Sequence, residues 1–333
     1  MKKKILVTGA GGFIGSHLTE ILVKRGYNVV GLVPYNIDNN WGWIERFDKH
    51  IKDNLEVLPG DITDASFVNK NLKKVDVVFN LAALISIPYS YKSPLSYINT
   101  NIIGTHNLLE ASKNNGVSLF VQTSTSEVYG SAQFIPITEK HPLNAQSPYA
   151  ATKISSDQLS LSYYRSFGLP VTVIRPFNTF GPRQSLRASI PTIISQIMND
   201  KKKIKLGNVK ARRDFTYVTD TAEGFIKTIS NKKAVGEVIN LGTGKDFSIK
   251  ETVNFISNIC NTKIVIESDK KRLRPKKSEV NRLLSSNKKA KEILGWDPFY
   301  KNKKGFIEGL RKTIEWFSRK ENTKIYKPNI YNL

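Results

Sequence analysis

The spacing of glycines near the N-terminus constrains this chain more than any other feature. An apolar run at 4–7 leads straight into Thr8-Gly9-Ala10-Gly11-Gly12-Phe13-Ile14-Gly15, where a helix-period pattern takes over. A strand that turns so tightly into a helix brings two backbones close together, and glycine tolerates that approach. The turn also leaves backbone N–H groups and a helix N-terminus facing outward, an arrangement suited to a pyrophosphate. The frame Gly9-x-x-Gly12-x-x-Gly15 is wider than the common G-x-G-x-x-G fingerprint. A glycine turn with no ligand is the plain alternative; the strand before it and the helix after it argue for the dinucleotide.

Beyond this loop, apolar runs at 28–33, 55–58, 75–81, 118–123 and 171–175 alternate with helical patterns at 13–25, 65–71, 95–114 and 149–167. Such alternation predicts a doubly wound parallel sheet with helices on both faces, and α/β is the fold class. After Pro182 the pattern loosens. Helices are expected near 190–198, 218–229, 250–260, 288–294 and 304–319, with short strands at 237–241 and 263–267 and a basic loop at 268–278. The expected division is 1–182 for the dinucleotide, joined by some later segments, and 183–333 mainly for the substrate. The tail 321–333 has no strong pattern.

Composition removes several classes of function. The 333 residues contain one cysteine, Cys260, so no internal disulfide forms, and the four histidines and that cysteine make no metal-ligand cluster. Cys260 reads as a small buried hydrophobe. The lysines at 2–4 resemble the start of a signal peptide, but Thr8-Gly9 interrupts the apolar run at once, and no stretch approaches a spanning helix. A cytoplasmic protein is expected. The formal charge of +23 invites a nucleic-acid reading, yet the lysines are scattered, with runs at 201–203, 270–277 and 301–304 rather than one stripe. A negatively charged small substrate accounts for the charge as well, so neither nucleic acid nor membrane is an expected partner.

The chemistry concentrates in two motifs. Tyr149 and Lys153 lie one helical turn apart and share a face. An ammonium beside a phenol stabilises the phenolate, which makes tyrosine usable as a base toward an alcohol. Upstream, Thr125 closes the fifth strand, placed to hydrogen-bond the hydroxyl being oxidised, and Ser126 and Glu127 follow. A carboxylate beside a nicotinamide disfavours the phenolate, so it needs a purpose. Removing the proton next to a newly formed sugar ketone is one, and elimination of a C6 hydroxyl would follow. A loop carboxylate facing solvent is the bland alternative. Two further strand ends suit a cofactor: Asp61-Ile62, where a carboxylate can accept the adenine amino group, and Leu81-Ala82-Ala83, where small side chains permit close approach. Pro34-Tyr35-Asn36, at the end of the second strand, is neither acidic nor basic, so NAD and NADP both stay open. Trp41 and Trp43 are placed either over the pocket or in the core.

Together these residues resemble the extended short-chain dehydrogenase/reductases that act on nucleotide sugars, over nearly the whole chain. The resemblance includes Arg175-Pro176-Phe177-Asn178 with Gly181-Pro182, Arg213-Asp214-Phe215, and Leu273-Arg274-Pro275. It implies a Rossmann-type sheet with a smaller mixed α/β C-terminal lobe, and a tightly bound, recycled NAD. It also implies that Gly9, Gly12, Phe13, Ile14, Gly15, Asp61, Ile62, Leu81, Ala82, Ala83, Asn101, Thr123, Tyr149, Lys153 and Pro176 line the cofactor. Ser86, Thr125, Asn178, Ile190, Arg213 and Arg274 would line the substrate, the last two holding phosphate, a task for which a guanidinium fork is suited.

Within that family Thr-Ser-Glu is similar to the GDP-mannose dehydratases, and UDP-glucuronate decarboxylases share it. Segments 32–43, 82–90 and 187–192 look like the dehydratases of bacterial legionaminic-acid synthesis, which act on GDP-N-acetylglucosamine. The resemblance therefore implies a 4,6-dehydratase (a hydro-lyase) with catalytic residues Thr125, Ser126, Glu127, Tyr149 and Lys153, and a homodimer through helices 95–114 and 149–167. A decarboxylase or 4-epimerase is the enzymatic alternative. A cofactor-sensing or RNA-binding protein on the same fold is the non-enzymatic one.

Overall fold

The structure, a computed structural model, describes residues 3–199, 202–327 and 330–331. Lys2 of the N-terminal lysine run and Lys201 of the 201–203 run lie outside the described residues, as does part of the tail. In chain order the strands are β1 (Lys4–Thr8), β2 (Asn28–Val33), β3 (Leu55–Pro59), β4 (Val77–Asn80), β5 (Leu119–Thr123), β6 (Val171–Pro176) and β7 (Asn178–Phe180). They continue as β8 (Lys203–Leu206), β9 (Arg212–Tyr217), β10 (Val238–Leu241), β11 (Asp246–Ser248), β12 (Val265–Ser268) and β13 (Arg282–Leu283).

Seven strands form one parallel sheet in the order β10-β6-β5-β4-β1-β2-β3. Its strands are apolar on both faces because both are covered. Ile5, Val7 and Phe79 pack under Leu18 and Leu22 of helix Phe13–Lys24 and Phe225 of helix Val218–Ile226. Leu6, Val78 and Phe120 meet Leu108 and Leu161 on the other face. Strand order reverses between β1 and β4, so the crevice outside their carboxyl ends is where such sheets bind ligands.

Helix Pro148–Phe167 carries the Tyr/Lys pair. Pro148 opens it, Ser147 caps it by accepting from the Ala150 N–H, and Gly168 closes it in a left-handed conformation. The expected continuous helix over 95–114 is instead three pieces: Pro94–Tyr97, a π-helical turn Ile98–Ile103, and Gly104–Asn114. The wider turn holds Asn101, whose side chain leaves the helix to bond Leu84 and Thr152.

The second lobe has a three-strand path β11-β9-β13 with β7 on β9, and a parallel pair β12–β8. Phe215 and Phe247 stack on Phe306 at its centre, with Phe180 edge-on to the same ring. Strands β7, β8, β9, β11 and β13 are absent from the sequence-based expectation: β7, β11 and β13 are only two or three residues long, and β8 and β9 carry charged residues (Lys203 and Lys205, Arg212-Arg213-Asp214) that break an apolar run. The basic loop 268–278 contains two single-turn 3-10 helices, Lys270–Arg272 and Lys276–Ser278. Trp43 belongs to the core, edge-on to Trp316, and Cys260 is half-buried beside the second-lobe cluster.

Candidate active site

On the cofactor side the glycine loop is tightly walled. Gly9 has φ +69°, and a Cβ there would lie 3.0 Å from the Ala82 nitrogen. A Cβ on Gly15 would lie 2.1 Å from the Gly9 oxygen, so the helix can approach the loop only as glycine. Thr8 Oγ1 accepts from the Leu81 and Ala82 N–H groups, 3.0 Å each, which sets Leu81-Ala82-Ala83 beside the loop. Helix Phe13–Lys24 begins at Gly12 with no side chain capping it, leaving its first N–H groups for an anion. Asp61 is exposed after β3 and accepts from the Thr63 N–H, while Ile62 packs inward against Gly104. Thr123 and Pro176 end β5 and β6 on the same side, and the Thr123 hydroxyl is buried without a partner. Asn101 spends its amide on Leu84 and Thr152, so it acts on the crevice through the loop it holds.

Tyr149 and Lys153 are both buried, at 7% and 4% exposure. The Tyr149 hydroxyl is hydrogen-bonded to the Thr125 side chain, whose Oγ1 also accepts from the Glu127 N–H at 3.2 Å. Burial raises the Tyr149 phenol far above its usual range; the Thr125 bond opposes this and the Glu127 charge adds to it. The expected lowering by Lys153 is not seen: burial dominates, and the Thr125 bond is what opposes it. Lys153 is itself pushed down to about 8 by burial, and the charge that opposes this is that of Asp157.

Glu127 sits in the short turn Ser126–Tyr129, 12% exposed. Arg274 Nη1 reaches it from the second lobe at 3.4 Å. Arg213 is buried, which lowers its pKa, and the Glu127 charge raises it again. The strand pairing explains this grouping: β7 lies on β9 with Asn178 opposite Phe215, so Asn178 and Arg213 come from adjacent strands. Asn178 Oδ1 is buried and unpartnered. Ser86 is buried at the start of helix Ile87–Ser90, and its carbonyl accepts from Tyr97, whose ring is edge-on to Tyr149. Ile190 packs its side chain into the second-lobe core and is almost fully buried. The Arg274 loop is moored by Tyr91 to Ser278 (2.5 Å) and Gln146 to the Lys277 carbonyl (2.8 Å).

Sequence reasoning missed a buried network beneath the pair. Asp157 Oδ2 accepts from Ser124 Oγ (2.7 Å) and from Arg175 Nε (3.0 Å) and Nη2 (2.9 Å). Arg175 Nη1 donates to the Tyr129 hydroxyl, which donates to Asn240. The available signal was spacing: Asp157 is four residues beyond Lys153 on the same helix.

A family model described as GDP-mannose 4,6 dehydratase matches residues 6–311. A UDP-N-acetyl-alpha-D-glucosaminuronate decarboxylase from Bacillus cytotoxicus is 33% identical over 97% of this chain and 100% of its own. A putative UDP-glucose 4-epimerase from Methanocaldococcus jannaschii is 31% identical over 96% and 100%. Among solved structures, the dTDP-glucose 4,6-dehydratase from Streptomyces venezuelae, with NAD bound, superposes with a TM-score of 0.86. It is 28% identical, covering 98% of this chain and 99% of that one. The fold is thus that of the extended short-chain dehydrogenase/reductases, with a C-terminal lobe.

Proposed function

This chain belongs to the GDP-mannose 4,6 dehydratase family, and within it we propose a nucleotide-sugar 4,6-dehydratase whose substrate is GDP-N-acetylglucosamine. One observation carries the reading: the Tyr149 hydroxyl bonds the Thr125 side chain, and the Glu127 carboxylate lies near enough for its charge to act on that phenol. An alcohol base and a second, separate carboxylate therefore stand at the same end of the site. The walled glycine loop and the uncapped helix fit NAD, which when bound would supply a hydride acceptor for oxidation at C4 and a hydride donor for return at C6. Gly9, Gly12 and Gly15, with Phe13 and Ile14, would hold its pyrophosphate, and Lys153 its nicotinamide ribose. Thr125 orients the 4-hydroxyl and Tyr149 takes its proton. With C4 a ketone, Glu127 removes the C5 proton. The C6 hydroxyl leaves as water, protonated by Glu127, with Ser126 orienting it, because a serine hydroxyl is a poor acid. Arg213, Arg274 and Asn178 hold the diphosphate.

The division of labour follows the chain: 1–182 and some later segments for cofactor, 183–333 mainly for substrate. We place the enzyme in the cytoplasm, making a 4-keto-6-deoxy sugar for legionaminic-type surface glycans; among the described residues no helix is long and apolar enough to cross a membrane. It works as a homodimer, and Ile103 and Phe167, 44% and 56% exposed on the paired helices, supply apolar contact surface.

The test is product analysis by proton NMR with GDP- and UDP-N-acetylglucosamine, GDP-mannose and UDP-glucuronate. A new C6 methyl doublet supports dehydration. Glu127→Gln should still reduce cofactor on adding substrate yet lose elimination by about 100-fold or more; full dehydratase activity in that variant would sink the assignment. A second reading has its own observation. Two guanidiniums beside Glu127 would also seat a C6 carboxylate, so carbon dioxide release from UDP-glucuronate would favour a decarboxylase.

A further inference from the structure

The network under helix Pro148–Phe167 has a part in the chemistry that the site so far leaves unused. Asp157 is completely buried, and its Oδ2 takes all of its partners: Ser124, and two nitrogens of Arg175. Its other oxygen, Oδ1, is buried with no partner at all. A carboxylate so placed is costly, and replacing it and Arg175 with apolar groups would serve stability as well. Its position offers a reason for it. Asp157 stands one helical turn beyond Lys153, as Lys153 stands one turn beyond Tyr149, so the three share one face. With Arg175 behind it, the face alternates in charge: cation, anion, cation, and then the phenol that must become an anion.

We infer that Asp157 is a positioning residue whose charge keeps the Lys153 ammonium cationic while Tyr149 ionises, and that Arg175 and Ser124 keep Asp157 charged for this task. The inference rests on the Tyr149/Lys153 chemistry proposed above. Ser124 immediately precedes Thr125, so the same network ties the floor of the site to the strand end that carries the other catalytic groups.

The charged groups that face this ladder come from several elements. Tyr129 and Glu127 approach from the turn after β5, and Tyr97 from the helix Pro94–Tyr97. Glu139 acts on Arg175 and Tyr129 from the loop before the helix. His106, Glu110 and Lys113 of helix Gly104–Asn114 meet the far end of the Tyr/Lys helix, at Tyr163. The charge acting on Lys153 is that of Asp157, which opposes the lowering by burial; the same charge also raises the Tyr149 phenol, so any help to Tyr149 comes through Lys153.

The experiment follows Lys153 directly in the NAD-loaded enzyme, by lysine-selective 13C NMR of the Cε methylene across pH, with Lys153→Met identifying the signal. In Asp157→Asn the Lys153 midpoint should fall by about one pH unit or more, and in Asp157→Glu it should return toward the parent value. Because Asp157→Asn strands Arg175 in the interior, Asp157→Leu with Arg175→Met provides a second variant without the stranded charge, and the same fall is expected there. Ser124→Ala, which keeps the carboxylate but removes one bond that keeps it charged, should lower the midpoint measurably, though by less. An unmoved midpoint in either charge-removing variant that folds overturns the inference. Should all of them unfold, an unmoved midpoint in Ser124→Ala does so. These readings need no sugar turnover, so failure of the dehydratase assignment is scored separately by the NMR product test. With substrate, the alkaline limb of cofactor reduction should move down with the Lys153 midpoint; a uniform loss of rate with an unmoved limb would indicate a merely structural role.

Discussion

The two halves of the site are built in opposite ways. Tyr149 and Lys153 stand on a twenty-residue helix capped at both ends, buried, and backed by an ion pair in the interior. Glu127 stands on a four-residue turn, partly exposed, and its cationic neighbour Arg274 reaches it across 3.4 Å from a loop of the other lobe. Hydride transfer demands a fixed distance and a fixed protonation state, and the helix provides both. The Glu127 and Arg274 side chains lie outside the Asp157–Arg175 network that backs the helix. Relatives of this chain carry names of a dehydratase, a decarboxylase and an epimerase. Such variety is expected if the reaction beyond oxidation is decided on the turn-and-loop side.

The contrast can be broken most severely at Tyr149. Tyr149→Phe should lower cofactor reduction by roughly 1,000-fold while leaving NAD affinity within a few-fold, read by single-turnover absorbance and by calorimetry. If elimination and oxidation fell by different factors, the two halves would not be in series. Arg274→Ala touches the other side: KM for the nucleotide sugar should rise about 10- to 100-fold with less change in kcat, measured by steady-state kinetics. A pure kcat effect would instead place Arg274 with Glu127 in the elimination.

The pH dependence sharpens the comparison further. Lys153 must be charged, and its pKa is lowered to about 8, so oxidation should fall about tenfold per pH unit above that value. For stability the sign is opposite. Between about 8 and its ordinary value near 10.5 the unfolded chain holds the Lys153 proton more tightly, so this residue's contribution to stability rises with pH there. A rate profile flat to pH 10 would remove Lys153 from the oxidation. The smallest effect is expected at the cap: Ser147→Ala should cost about 1 kcal/mol in chemical denaturation with kcat nearly unchanged.

How much of this was legible in the sequence depended on how local each signal was. The glycine loop, the main parallel strands and the Tyr149–Lys153 turn follow from neighbours in the chain, and the structure has them where the pattern puts them. The break of the 95–114 helix was not legible, because it serves Asn101's bonds to Leu84 and Thr152, partners far along the chain. Asn178 and Arg213 were each readable as motif members, but their adjacency depends on β7 lying on β9, a pairing of three-residue length. Asp157 was the clearest omission. Its spacing from Lys153 was visible, but its burial and its bond to Arg175 exist only once β6 lies under the helix.

Strand β10 comes from residues 238–241 yet forms the outer edge of the first sheet, with Leu241 opposite Pro176. Between β6 and β10 the chain makes much of the second lobe before returning. A fragment ending near residue 182 would therefore present β6 as a bare, apolar edge beside Arg175 and would invite pairing with other chains. On the ribosome the cofactor half must wait, unsealed, for a strand made long after it.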